Sequence, residues 1–243
     1  MEEDLDLEDP RYLDEVGYFL YYEYQKYIRY PVEGSYEKER LINSEVLLRE
    51  VLAICGLDER WLRDKTVLTI GCGCTGDLAS WPALVKVAID PLLNVYKRLG
   101  MLIDDVPGTG RTVYLAHSAE AMPLIDDSVD LVLCRNALDH MHRPAEALAE
   151  LSRVLKPNGI AFLDVDLGGV PLPDEPTVFS PESLIALVEE HFSVVERKDT
   201  DRSHSGNRDS SIRLVLRNKP NKSAQRLDRN EILNRYIKRA EGQ

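Results

Sequence analysis

The sequence has no long apolar run. Nothing in its 243 residues approaches the roughly 20 consecutive apolar positions that a membrane-spanning helix needs, so no membrane span is expected. It is also short of positive charge: 30 Lys and Arg stand against 42 Asp and Glu, for a formal net charge of -12. Nucleic acid is bound through phosphates by basic surfaces, so DNA and RNA are not expected as partners. Cysteine is scarce. Cys55, Cys72, Cys74 and Cys134 have a spacing that suits neither a zinc site nor a disulfide scaffold. The N-terminus, MEEDLDLEDP, lacks the basic and apolar regions of a signal peptide, and the expected location is cytoplasmic. No internal repeat or low-complexity segment is present.

What the chain does have is an ordinary globular share of hydrophobic residues, 44%, enough to bury a core. Its organising stretch is residues 66–90, TVLTIGCGCTGDLASWPALVKVAID. A short apolar run meets glycines at Gly71, Gly73 and Gly76, and a second apolar run ends on Asp90. The pattern reads as strand, tight turn, short helix, strand, carboxylate. Glycines admit close backbone approach to a ligand, a helix start offers free N–H groups, and a carboxylate can accept two ribose hydroxyls. A nucleoside-containing cofactor is therefore expected. Cys72 and Cys74 read as small packing residues of the turn.

Downstream, apolar runs near 111–116, 129–134 and 160–166 alternate with helical patterns near 91–103, 144–155 and after Ser180-Pro181, which predicts a mostly parallel sheet. LKPNG at 155–159 reads as a turn. Runs near 193–199 and 211–217 follow each other without a helix between them, predicting an antiparallel pair at the sheet edge. Upstream, residues 41–55 carry apolar spacings of three and four, an amphipathic helix stopped by Gly56. Residues 1–9 hold six acids and are expected to be disordered. Tyrosines crowd residues 12–30, which reads either as a helix packed on the domain or as a lid whose rings stack on substrate. The tail 219–243 holds seven basic residues against three acids. It reads as a solvated helix or as a surface for the acidic N-terminus or a second subunit, so a homodimer is one expectation.

Taken literally, Gly71-x-Gly73-x-x-Gly76 with Asp90 matches a dinucleotide fingerprint. Pro82, which cuts short any helix after the glycines, and the antiparallel pair count against a nicotinamide enzyme. TIGCGCTG, then AID, then SAEAMPLIDDSVDLVLCRNALDHM, then ELSRVLKPNGIAFLDVD together resemble the class I S-adenosylmethionine-dependent methyltransferases over roughly residues 41–218. The resemblance implies a Rossmann-like α/β fold: a seven-stranded, mostly parallel sheet with an antiparallel edge strand, preceded here by N-terminal helices. It implies S-adenosyl-L-methionine as cofactor. Gly71, Cys72 and Gly73 would face its methionine and ribose, Asp90 with Pro91 the ribose diol, Ser118, Ala119 and Glu120 the adenine, and Arg135 and Asn136 the amino-acid end. Ser118 stands where the family often has an acid, and Thr69 where an acid commonly closes the first strand. The implied division is an acidic N-terminus and helical lid (1–60), the cofactor-binding methyltransferase domain (61–218) and a basic tail (219–243).

For the acceptor, the expectation is O-methylation of a sugar hydroxyl or another small polar metabolite or glycan. His140, just past the fourth strand, is the expected general base, since histidine is the side-chain type that suits proton abstraction near neutrality, with His142 the runner-up. Asp139, Asp164 and Asp166 cluster at strand ends. Either they are hydrogen-bonded to backbone, Arg135 or Arg143, or they hold Mg²⁺, whose hard character suits oxygen ligands. His204, Asn207 and Arg208 in the loop 200–211 are candidates for binding acceptor hydroxyls or a carboxylate, or form an exposed turn. Alternatives are C- or N-methylation of a quinone or amine, and a non-catalytic cofactor-binding partner subunit.

Overall fold

In a computed structural model, residues 17, 20, 21, 35–74, 76–201 and 208–219 are described. The acidic N-terminus, almost all of the tyrosine-rich stretch, His204, Asn207 and all of the basic tail except Lys219 lie outside them. Helix α1 (Ser35–Cys55) buries Ser44, Leu47, Leu48, Val51 and Leu52, the three-and-four spacing of one helical face. It stops as a helix should at glycine: Gly56 takes φ +66°, while Gly56 N–H donates to Ala53 O and Leu57 N–H to Leu52 O, the Schellman arrangement. A single-turn helix α2 (Glu59–Leu62) follows, its first turn capped by the Asp58 carboxylate.

Seven strands form one sheet: β1 (Thr66–Ile70), β2 (Val85–Ile89), β3 (Thr112–Leu115), β4 (Val129–Arg135), β5 (Leu155–Leu167), β6 (Phe192–Thr200) and β7 (Ser210–Asn218). Their order is β3-β2-β1-β4-β5-β7-β6. The pairs among β1 to β5 are parallel, and β7 runs antiparallel between β5 and β6. The expected antiparallel pair therefore closes one edge, with β6 outermost. Its exposed Glu196, Arg197, Lys198 and Asp199 discourage pairing with another edge.

Both faces of the central strands are covered, which is why they read as unbroken apolar runs. Leu68 and Ile70 of β1 pack with α4 (Pro144–Val154) and α5 (Pro181–Val188). Val67, on the other face, packs with Leu47, Leu48, Val51 and Leu52 of α1 and with Trp81. Part of the 1–60 segment is thus one layer of the domain.

Three local expectations change. No helix follows the glycine turn among the described residues. Residues 76–81 make successive turns instead, with Ala79 N–H donating to Gly76 O and Trp81 N–H to Leu78 O. Gly76 at φ +68° and Pro82, which has no N–H, leave no room for helical bonding. The helix expected over 91–103 is only α3 (Leu93–Arg98), because Gly100 turns the chain at φ +67°. Residues 155–159 lie inside β5 rather than before it: Val129 pairs with Leu155 but Leu131 with Ile160, so the Pro-Asn-Gly residues form a bulge.

Candidate active site

The chain leaves β1 for β2 and β3 on one side, then returns to lay β4 on the other. Beyond the carboxyl ends of β1 and β4, this change of direction opens the crevice in which ligands bind to such sheets. A cavity of about 300 Å³ is found there. Gly71, Asp90 and Pro91 form one wall, Ser118, Ala119 and Glu120 a second, and Asn136, Ala137 and His140 a third; His117, His142 and Arg143 also border it. Eight of the expected site residues thus come together. Cys72 and Gly73 are buried behind the wall, and Arg135 turns away, its Nη1 lying 3.6 Å from Asp77 Oδ2.

The glycine turn is held by its own chain. Gly71 has φ +62°, and a Cβ there would lie 2.3 Å from Ala137 Cβ. The residue is glycine because β1 and the turn after β4 meet at this point, whatever lies in the cavity. Gly73 N–H and Leu92 N–H donate to the two Asp90 oxygens, each at 2.8 Å. The carboxylate is thereby aimed and still has lone pairs for hydroxyl donors. Burial pushes its pKa up to about 6, against the pull of those two N–H groups and of His140. Burial also drives the Cys72 thiol well above its usual range and Cys134 to about 12. Both stay protonated at neutrality, in keeping with a packing role.

Ser118 Oγ accepts Glu120 N–H at 3.1 Å and donates to the Glu120 carboxylate, which fixes the short 3₁₀ turn Ala119–Ala121. Asn136 has φ +45°, and its N–H donates to Asp164 O at 2.7 Å. Its side-chain nitrogen lies 3.5 Å from His140 Nε2. A non-glycine residue in the left-handed region, at the mouth of a cavity, is a common mark of a site that tolerates strain for geometry.

The three expected metal ligands do not converge as a set. Asp164 is buried and accepts Arg213 Nε at 2.9 Å, with Arg213 also bonded to Glu50. Asp166 is buried as well. Asp139 instead gathers with His140 and Glu175, one donor atom of each lying within 4.8 Å of the others. Burial raises Asp139 to about 6; His140 and its own amide oppose the shift, while Glu175 and Asp166 add to it.

Glu175 has no local signal in the sequence. It lies in the loop after β5, and Arg208 brings it in from the start of β7, Nε to Oε2 at 2.6 Å. Both residues are buried. Arg208 also donates to Gly168 O, Val170 O and Glu175 O. Its donors are spent inside the protein, so it is not the acceptor-binding group that its place in a polar loop suggested.

Residues 68–163 match a methyltransferase domain model. This stretch is similar to a methyltransferase domain, within a fold of the class I, S-adenosylmethionine-dependent type. An uncharacterized methyltransferase of Mycobacterium ulcerans is 35% identical over 102 residues, covering 41% of this chain and 38% of the relative. The match therefore spans well under half of that relative's length. A putative methyltransferase from Bacillus halodurans shares 18% identity over 70% of this chain and 97% of its own, with a TM-score of 0.54. A 1,6-didemethyltoxoflavin-N1-methyltransferase from Burkholderia thailandensis, solved with its substrate and S-adenosylhomocysteine, shares 20% identity over 82% of this chain and 90% of its own, with a TM-score of 0.52. At such identities the likeness establishes the fold. No described helix of the methyltransferase domain or its flanks is long and apolar enough to cross a membrane.

Proposed function

We propose that the protein methylates a hydroxyl of a small polar acceptor, such as a sugar or secondary metabolite, using S-adenosylmethionine, with His140 as general base. One observation carries this reading: His140 shares a single cavity with Gly71, Asp90, Ser118, Glu120 and Asn136. The donor set suits the cofactor. Asp90 has lone pairs left for a ribose diol, the Ser118–Glu120 turn offers a wall for adenine, and the Asn136 side-chain oxygen, buried and without a hydrogen-bond partner, can accept from the amino-acid end. The cofactor supplies an electrophilic methyl group on a sulfonium.

The chain must then hold the acceptor oxygen in line with that methyl, an alignment that can lower a barrier by several kcal/mol. It must also take the hydroxyl proton. An imidazole nitrogen of His140 would accept it as the C–O bond forms and the methyl–sulfur bond breaks, with S-adenosylhomocysteine as the leaving group, and would later return it to water. Asp90 and Asp139 are both close enough to His140 to feel its charge.

Magnesium does not suit the groups that gather here. Asp164 and Asp166 lie outside the cluster that forms, and that cluster contains an imidazole, whereas Mg²⁺ prefers an all-oxygen octahedron. Turnover is therefore expected to survive chelation. The test of the base is His140→Ala. Turnover on a hydroxyl acceptor should fall by a factor of roughly 10²–10⁴ while calorimetric binding of S-adenosylhomocysteine stays intact. Undiminished turnover in the variant would remove His140 from the chemistry.

A further inference from the structure

Asp139 poses a problem that methyl transfer alone does not solve. Its side chain is fully buried (0% exposed), and beyond the pull of its own amide neither carboxylate oxygen has a hydrogen-bond partner. A buried carboxylate in that state is costly and normally finds a cation or a donor. The groups around it supply more of the same character. Glu175 is a second buried carboxylate and His140 a nitrogen ligand, and one donor atom of each lies within 4.8 Å of the others.

The three side chains are held in place independently. Asp139 and His140 follow β4. Glu175 is fixed from across the site by Arg208. The loop bearing Glu175 is also pinned to the turn after β4, since Thr177 N–H donates to Asp139 O and Thr177 Oγ1 to Met141 O. An ordered set of two carboxylates and one imidazole, with no donor from another residue on the Asp139 oxygens, is a ligand set for a divalent ion of the transition series. An imidazole among the ligands suits Zn²⁺, Mn²⁺ or Co²⁺ and disfavours Mg²⁺.

We propose that Asp139, His140 and Glu175 form a binding site for a divalent transition-metal ion. Metal–ligand distances of about 2.0–2.2 Å mean that the three side chains draw together slightly as the ion enters. When the site is filled, the lone pair of His140 belongs to the metal and not to the acceptor proton. If His140 is the base, a clause that rests on the function proposed above, the metal-free protein is the active form and metal capture switches it off.

The binding test needs no turnover. The full chain, stripped with EDTA, is titrated with Co²⁺ and followed by its visible d–d absorption. The expected result is saturation at one ion per chain, displacement by Zn²⁺, and indifference to excess Mg²⁺. Asp139→Asn and Glu175→Gln should each weaken Co²⁺ binding by at least about tenfold, since even outer partners of a metal site cost that much. His140→Ala should abolish the nitrogen-ligated spectrum. Circular dichroism accompanies each variant, and should Asp139→Asn fail to fold, Glu175→Gln and His140→Ala decide the matter. Absence of absorption bands, unchanged affinity in the folded variants, or displacement by Mg²⁺ as readily as by Zn²⁺ would overturn the proposal. Inhibition of turnover by Zn²⁺ forms a separate arm. Its failure with Co²⁺ binding intact would count against His140 as base and leave the metal site standing.

Discussion

The contact between Gly71 and Ala137 gives a quantitative test of how the cavity is built. In Gly71→Ala, the new methyl meets Ala137 Cβ at 2.3 Å, and the backbone must stay at φ +62° or move. Left-handed backbone costs an alanine about 1–2 kcal/mol, and overpacking adds about 1–3 kcal/mol, so the single variant should lose roughly 2–5 kcal/mol. Ala137→Gly alone should lose only about 0.5–1 kcal/mol, mainly from a more flexible unfolded chain. The double variant removes the collision and keeps the φ strain. Equilibrium urea unfolding of all four proteins should therefore show a coupling of about 1–3 kcal/mol in favour of the double variant. Both residues border the cavity, so S-adenosylhomocysteine binding should fall in Gly71→Ala and partly return in the double variant. A Gly71→Ala protein within about 0.5 kcal/mol of the parent, or a cycle that closes without coupling, would refute the view that the glycine is there for chain-to-chain contact.

The Asp90 carboxyl, raised by burial from 3.8 to about 6, makes the folded state hold its proton more tightly than the unfolded one. Its contribution to stability is thus fully present below the unfolded pKa and is lost as pH rises through about 6. Asp139, raised for the same reason, adds with the same sign. Urea unfolding should show these groups favouring the folded state more at pH 5 than at pH 7, whereas calorimetry should show cofactor affinity falling as Asp90 is protonated over that window, about one unit either side of its raised pKa. Arg208→Ala leaves Glu175 buried without its cation and should cost about 3–5 kcal/mol. Adding Glu175→Gln should recover part of that loss in the same denaturation assay, and no recovery would mean that Arg208 acts through its carbonyl contacts instead.

The sheet was readable from sequence because its information is local. A parallel strand buried on both faces is a run of apolar residues, and β1, β2 and β4 are such runs, closed by Gly71, Asp90 and Asn136 at the ends where ligands bind. The cofactor wall followed from those ends. What escaped depends on partners distant in sequence. Glu175 enters the site only because Arg208, 33 residues away, holds it there. Asp164 stands apart from the Asp139 cluster and meets Arg213, 49 residues away, instead. Arg208, in a polar loop, looked like a substrate contact, and nothing in its neighbours signals that it is buried. The short helix expected after the glycine turn failed for a local reason: Gly76 sits at a left-handed φ of +68°, and Pro82 has no N–H with which to continue helical bonding.

These observations place unusual cost in one short turn. Between Asn136 and Met141 the chain contains a left-handed asparagine, an alanine pressed on Gly71, a buried carboxylate without a hydrogen-bond partner and a histidine facing the cavity. Each could be relieved by a simple substitution, and a turn needed only to join β4 to α4 would have no reason to keep all four. Strain and uncompensated charge persist where the surrounding structure over-determines them and a ligand or a reaction uses them. The rest of the frame holds this turn still: the Asp164 carbonyl receives Asn136 N–H, and Thr177 ties the turn to the Glu175 loop. The glycine stretch 66–90 and Asp90 set where a cofactor sits. On the function and metal site proposed above, the turn after β4 supplies the base and two of the three metal ligands, and Glu175 supplies the third.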